Sequence, residues 1–298
     1  MSNNNQQADN SVNTGKPKGR AWGKFVVSLL VCYFVPVIGA VCLLLGPMVI
    51  PSNPLLGTGA GQMVLALITV LALVFLGGRK WIRFSGKGLK EAFRLSWPIL
   101  ATDVVLVLWS VISMVKNGSA PANAFPLLLG AFVYCLGIAV FEEANFRGIL
   151  LNGILAPLGK SRGWVIACVI ISSLWFGKVH VGHIDMADTA AVALAALKIL
   201  HAGCLGVIMC AMVLRTREIG ESILIHFLHD FLLMGTSVLS GGIAVANYAD
   251  SSNATAGFVA YGILLAVVLY PTIQAFRSLI RNEKEDHGAF IPALAGNA

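Results

Sequence analysis

From Phe25 to Leu45 the chain runs without a single Asp, Glu, Lys, Arg or His. A helix needs about 20 predominantly apolar residues to cross a bilayer, and within hydrocarbon every backbone polar group must be satisfied inside the structure. Stretches of this kind recur near residues 25–47, 60–78, 97–115, 128–156, 164–183, 189–214, 219–240 and 256–276. None shows the period-2 alternation of an outer-membrane barrel strand. The expected fold is therefore all-α, a polytopic membrane bundle of about eight transmembrane helices. Only 12% of the 298 residues are charged, against about 25% in an average soluble domain, and this excludes an ordinary soluble domain.

The formal net charge of +7 does not mark a nucleic-acid binder, because the basic residues border the apolar runs. Lys16, Lys18, Arg20 and Lys24 precede the first run, and Arg79, Lys80, Arg83, Lys87, Lys90 and Arg94 follow the second. Such placement carries topology information. It puts these segments on the cytoplasmic side with Lys160, Arg162, Arg215, Arg217, Arg277, Arg281 and Lys284, and it predicts a multi-pass protein of the plasma (inner) membrane with both termini inside. Residues 1–24, rich in Asn and Gln, are expected as a disordered cytoplasmic tail. Residues 25–276 are expected as one transmembrane domain, and 277–298 as a second cytoplasmic tail. The segment RKWIRFSGKGLKEAFR, residues 79–94, reads as a connector lying on anionic headgroups, which makes membrane lipids the first partner. Six cysteines fall inside apolar stretches without a CxxC pair, so they read as small buried apolar residues.

Ionisable residues inside spans are costly and usually face the bundle interior, where they mark a site or a structural pair. "FEEANFRGIL" contains Glu142, Glu143 and Arg147. On an α-helix Glu143 and Arg147 share a face at i,i+4, whereas Glu142 lies about 100° away. Glu143 is thus expected as a structural carboxylate and Glu142 as the one left for general-base work. "WFGKVHVGH" places Phe176 and His180 on one face, with Lys178 and His183 nearby, and "LIHFLHDF" sets His226 and Asp230 four apart. Asp103, Lys198, His201 and His229 complete the set.

The ordered motifs EExxxR, FxxxH and HxxxD on successive apolar segments resemble the CAAX prenyl protease and bacteriocin-processing family, the intramembrane glutamate proteases also called the Abi family. The likeness runs from about Gly130 to Leu233 and includes "AGCLGVIMCAMVLRTREIGESILIHFLHD". It implies an endopeptidase without a cofactor or metal, acting on a peptide or protein substrate that is lipidated in eukaryotic relatives. By that likeness Glu142 activates a water with help from His180. His226 and the residue at 230 stabilise the oxyanion, and Glu143, Arg147 and Phe176 support the site. Position 230 departs from the pattern, since the family often has Asn there. Either Asp230 donates as a neutral acid among its apolar flanks Phe227, Leu228, Phe231 and Leu232, or it orients His226.

Three other readings compete. Glu142, His180 and His226, with His229 or Asp230, are ligand types that zinc accepts, although no HExxH motif is present. A non-catalytic scaffold or bacteriocin-immunity protein could hold a peptide in the same cavity. A transporter could run protons through Asp103, Lys198 and His201, but no internal repeat is visible. Counting along the spans also puts Glu142 at mid-membrane, His180 toward the outer end and His226 toward the cytoplasmic end, so their meeting requires tilted or broken helices.

Overall fold

A computed structural model of the chain describes residues 18–158, 161–241 and 252–281. Among these residues there is no strand. The helices are α1 (Lys18–Val49), α2 (Pro54–Phe75), α3 (Gly86–Asn117), α4 (Ala124–Glu142), α5 (Asn152–Leu158), α6 (Arg162–Val179), α7 (Thr189–Thr216), α8 (Gly220–Leu239) and α9 (Ala254–Arg281). A π-helical stretch, Glu143–Leu151, joins α4 to α5 without a break, so Ala124–Leu158 forms one rod of 35 residues. Among the described residues eight helices are long and apolar enough to span a bilayer, as the apolar runs predict.

Local chemistry sets the ends. Asn53 caps α2 by accepting from Leu56 N–H, with Pro54 at the first helical position, where its missing N–H costs nothing. Ser85 caps α3 by accepting from Gly88 N–H, and the Asp188 carboxyl accepts from Ala190 and Ala191 at the start of α7. α3 closes on Gly118 in the left-handed conformation, which glycine adopts without a Cβ penalty.

Burial ranks the helices. α7 buries 72% of its most apolar stretch, against 17% to 39% for the other spans, which makes it the central post. Around it Ile208, Cys210, Ala211, Met212, Val213 and Leu214 pack against Ile149, Leu150 and Leu151 of the π stretch, Phe176 of α6 and Val268 of α9. The large exposed apolar residues Tyr33, Phe75, Trp109 and Phe125 lie on the outer faces of the bundle, where lipid is the solvent. Close helix approach relies on small residues, as membrane packing commonly does. A Cβ on Gly61 would strike the carbonyl of Cys42 on α1, and one on Gly177 would strike the carbonyl of Ile199 on α7.

The 79–94 segment is more ordered than a connector lying loosely on headgroups. Gly78–Trp81 form one 3₁₀ turn, and α3 already begins at Gly86. The segment is tied to the α7–α8 turn by Ile219 N–H to Trp81 O, by Gly220 N–H to Arg83 O, and by Ser85 N–H to the Glu221 carboxylate. Glu91 pairs with both Arg94 and Arg215. Arg79, Lys80, Arg83, Lys87 and Lys90 remain exposed. α1 begins at Lys18 and α9 runs through Arg281, and the remainder of both expected tails, with Lys160, lies outside the described residues. All six cysteines are free thiols, four of them buried.

Candidate active site

The first motif sits at the change from α to π helix. The i→i+5 pattern of a π stretch is rare and concentrates at functional sites. Here it buries every residue from Glu143 to Leu151. Where α geometry resumes, the Asn152 side chain donates to Arg147 O at 2.8 Å and to Gly148 O at 3.2 Å. That satisfies carbonyls near the junction. The i,i+4 expectation for the acid–base pair survives the wider turn, with Arg147 Nη1 lying 3.0 Å from Glu143 Oε1.

Exposure separates the two glutamates. The Glu143 and Arg147 side chains are 0% and 1% exposed, whereas Glu142 retains 15%, His180 22% and Asp230 27%. Glu143 also accepts from His226 Nδ1 at 2.9 Å, which leaves Nε2 of that ring toward Glu142 and Asp230. His180 sits one residue past the end of α6, and its Nδ1 donates to Phe176 O at 2.7 Å. A carbonyl can only accept, so His180 also presents Nε2.

Both free nitrogens converge on one atom. Glu142 Oε2 is 3.5 Å from His180 Nε2 and 3.7 Å from His226 Nε2. These separations exceed direct hydrogen-bond lengths and fit groups that share a small reactant. Asp230 Oδ2 lies 3.4 Å from the same His226 Nε2. Phe176 braces the group: the Arg147 guanidinium lies 4.1 Å over its ring, and its centroid is 4.5 Å from that of His180 and 6.0 Å from that of His226.

All seven residues singled out by the three motifs are thus brought together, including the three that span counting placed at different depths. Helix ends at unequal levels resolve the counting. α6 has only 18 residues and stops at Val179, while the rod facing it has 35. His180 is therefore a helix-end residue and not part of a span reaching 183, and Lys178 and His183 are exposed away from the cluster.

Sequence reasoning missed one pair. His229 Nδ1 lies 2.8 Å from Asp103 Oδ2, joining α8 to α3 in a buried contact. Asp103 stood out as an acid in an apolar run, but no spacing rule connects residues 126 positions apart. The transporter reading grouped Asp103 with Lys198 and His201. Those two share a face of α7. Lys198 is within Coulombic reach of Glu142 and Asp230, and His201 of His180 and His229.

Residues 121–232 match the family model described as "Type II CAAX prenyl endopeptidase Rce1-like". These residues are similar to the Rce1-like family. The Rce1-like segment runs from just before α4 into α8 and contains Glu142, Glu143, Arg147, Phe176, His180, His226 and Asp230. Asp103 lies outside it. The match supports, at family level, a CAAX-protease-like membrane endopeptidase. No curated protein and no solved structure matches the chain significantly. Among the described residues of the Rce1-like segment and its surroundings, no three His, Cys, Asp or Glu side chains are placed to close on one metal ion.

Proposed function

We propose that the chain hydrolyses a peptide bond within the membrane, with Glu142 as the general base that activates water. The observation that carries this reading is the convergence of two imidazole Nε2 atoms on Glu142 Oε2. A water held there would lose its proton to Glu142 while His180 fixes its orientation. The oxygen then attacks the scissile carbonyl, and the carbonyl π electrons move onto oxygen. When the tetrahedral intermediate collapses, the C–N bond breaks and the proton held by Glu142 passes to the leaving amine. General acid–base catalysis of this kind contributes about 10²- to 10⁴-fold, and one preorganised oxyanion donor a further ~10²- to 10³-fold.

As an imidazolium, with Nδ1–H donated to Glu143, His226 supplies the oxyanion donor through Nε2–H. Asp230 acts as its positioning partner. The apolar flanks that favour a neutral, donating Asp230 are neighbours in sequence. In space the residue is next to His226 and within reach of Lys198, and these surroundings support an ionised carboxylate that stabilises the His226 imidazolium and yields Nε2–H to the oxyanion. The substrate is a peptide or protein held at the membrane, with a lipidated chain as the expected class. Both termini and the basic loops face the cytoplasm of a plasma (inner) membrane.

The test is detergent-purified protein incubated with farnesylated and unmodified peptides, wild type beside Glu142→Gln. Cleavage by wild type is expected to fall by at least about 10²-fold in the variant. A chelator arm separates this reading from zinc hydrolysis: activity lost to chelation and restored by zinc overturns the glutamate mechanism. Wild type and variant with the same biological effect and no cleavage by either would favour the scaffold.

A further inference from the structure

α3 buries only 17% of its most apolar stretch, yet Asp103 on it is 2% exposed. An acid inside a span is costly and is kept with a partner or for a task. Asp103 has a partner: its Oδ2 lies 2.8 Å from His229 Nδ1, and the two side chains are 3% and 10% exposed. One side of α3 runs along α8, from Gly88, where an added Cβ would meet the Glu221 carboxylate, to Asp103 against His229. Neither Asp103 nor His229 has a part in the chemistry proposed above, and Asp103 lies outside residues 121–232.

His229 follows His226 by three positions, which on an α-helix separates them by about 60° of rotation and about 4.5 Å along the axis. Each presents Nδ1 to a carboxylate on another element, His226 to Glu143 at 2.9 Å and His229 to Asp103 at 2.8 Å. A single contact of this kind lets α8 roll about it. Two contacts at different azimuths, made to two different elements, fix the rotation. What that rotation sets is the aim of His226 Nε2, which lies 3.7 Å from Glu142 Oε2 and 3.4 Å from Asp230 Oδ2. The strap to Trp81 and Arg83 holds only the start of α8, about two turns before His226. We infer that Asp103 and His229 are positioning residues, a second carboxylate–imidazole anchor that sets the rotation of α8 and so aims His226 Nε2 at the oxyanion. The inference rests on the endopeptidase reading. A pair that served packing alone would be replaceable, because exchanging a buried ion pair for apolar residues of similar volume is often neutral or stabilising. A pair that aims another residue is not.

The test compares Asp103→Asn, Asp103→Leu, and Asp103→Leu combined with His229→Leu, each purified in detergent. Asparagine removes the charge but keeps an acceptor for Nδ1–H, whereas leucine removes both. The two leucine proteins are expected to lose about 10- to 100-fold in kcat with KM little changed, the scale of a displacement of about 1 Å. The unfolding temperature of the double variant should stay at or above that of wild type, and Asp103→Asn should keep a kcat well above both. Nitrogen-labelled histidine NMR spectra read the aim of His226 without any substrate, its signals being identified by their loss in His226→Gln. Those signals should move further in Asp103→Leu than in Asp103→Asn, which is equally neutral. A double variant that is stable and cleaves at the wild-type rate overturns the positioning role. So does a loss of turnover in Asp103→Leu with His226 signals displaced no further than in Asp103→Asn. If wild type cleaves nothing while the His226 signals move as described, the anchor stands and the endopeptidase reading falls. Should the double variant fail to fold, Asp103→Leu alone decides, because it leaves an imidazole, which can shed its charge, and not a stranded carboxylate.

Discussion

At the scale of single residues, the adjacent glutamates illustrate how one peptide unit separates two kinds of chemistry. Glu143 is sealed from solvent between Arg147 and His226, whereas Glu142 keeps part of its surface open to two imidazoles. Breaking a buried ion pair by removing one partner strands a charge and costs about 3 to 5 kcal/mol. Glu143→Gln and Arg147→Ala should therefore lower the thermal unfolding temperature and the yield of folded protein. Glu142→Gln should melt close to wild type while losing turnover. A Glu143→Gln protein that is stable but inactive, beside a Glu142→Gln protein that still cuts, would exchange the two roles. Asp230→Asn tests the departure from the family pattern. The amide still accepts from His226 but carries no charge, so the variant should be slower at every pH. A variant as fast as wild type, or faster toward alkaline pH, would restore the neutral-donor role.

At the scale of elements, two junctions place the catalytic groups. The first is the α-to-π change, whose carbonyls at Arg147 and Gly148 are bonded by Asn152. Asn152→Leu removes that donor from a buried site, and a loss of about 1 to 3 kcal/mol is expected, read as a lower unfolding temperature. The second is the close contact of α6 with α7 at Gly177, where an added Cβ meets the backbone carbonyl of Ile199. Backbone cannot swing aside as a side chain can. Gly177→Ala should push the end of α6 away from α7 and carry His180 with it. The cost should be about 1 to 3 kcal/mol of stability and up to ~10²-fold in turnover, as for a displacement of about 1 Å. Unchanged turnover would mean that α6 takes up the extra methyl without moving His180.

At the scale of the whole molecule, the bundle is built around one helix that lipid hardly touches. The helices surrounding α7 turn large apolar side chains outward. Eight spans with the basic residues in every second loop predict a definite orientation. Reporter fusions after Lys90 and after Lys284 should report cytoplasm, and those after Ser119 and after Ser252 the outside. A cytoplasmic signal at Ser252 would remove the even span count. The strap from Trp81 to Ser85 across the α7–α8 turn holds the helix carrying His226 and Asp230 to the start of α3.

What the sequence determined by itself was whatever acts locally or by composition. Apolar runs of bilayer length dictated helices, their number followed from the charged breaks between them, and i,i+4 spacing paired Glu143 with Arg147 and His226 with Asp230. The ordered motifs also grouped the groups that meet at Glu142 before any packing was known. Tertiary structure decided the rest, because it depends on distance through space. The Asp103–His229 contact joins helices that no periodicity relates, and the π turn arises from packing that a 3.6-residue pattern does not encode. The surroundings of Asp230 look apolar along the chain and polar in three dimensions, since the side chains nearest a buried group belong mainly to other helices.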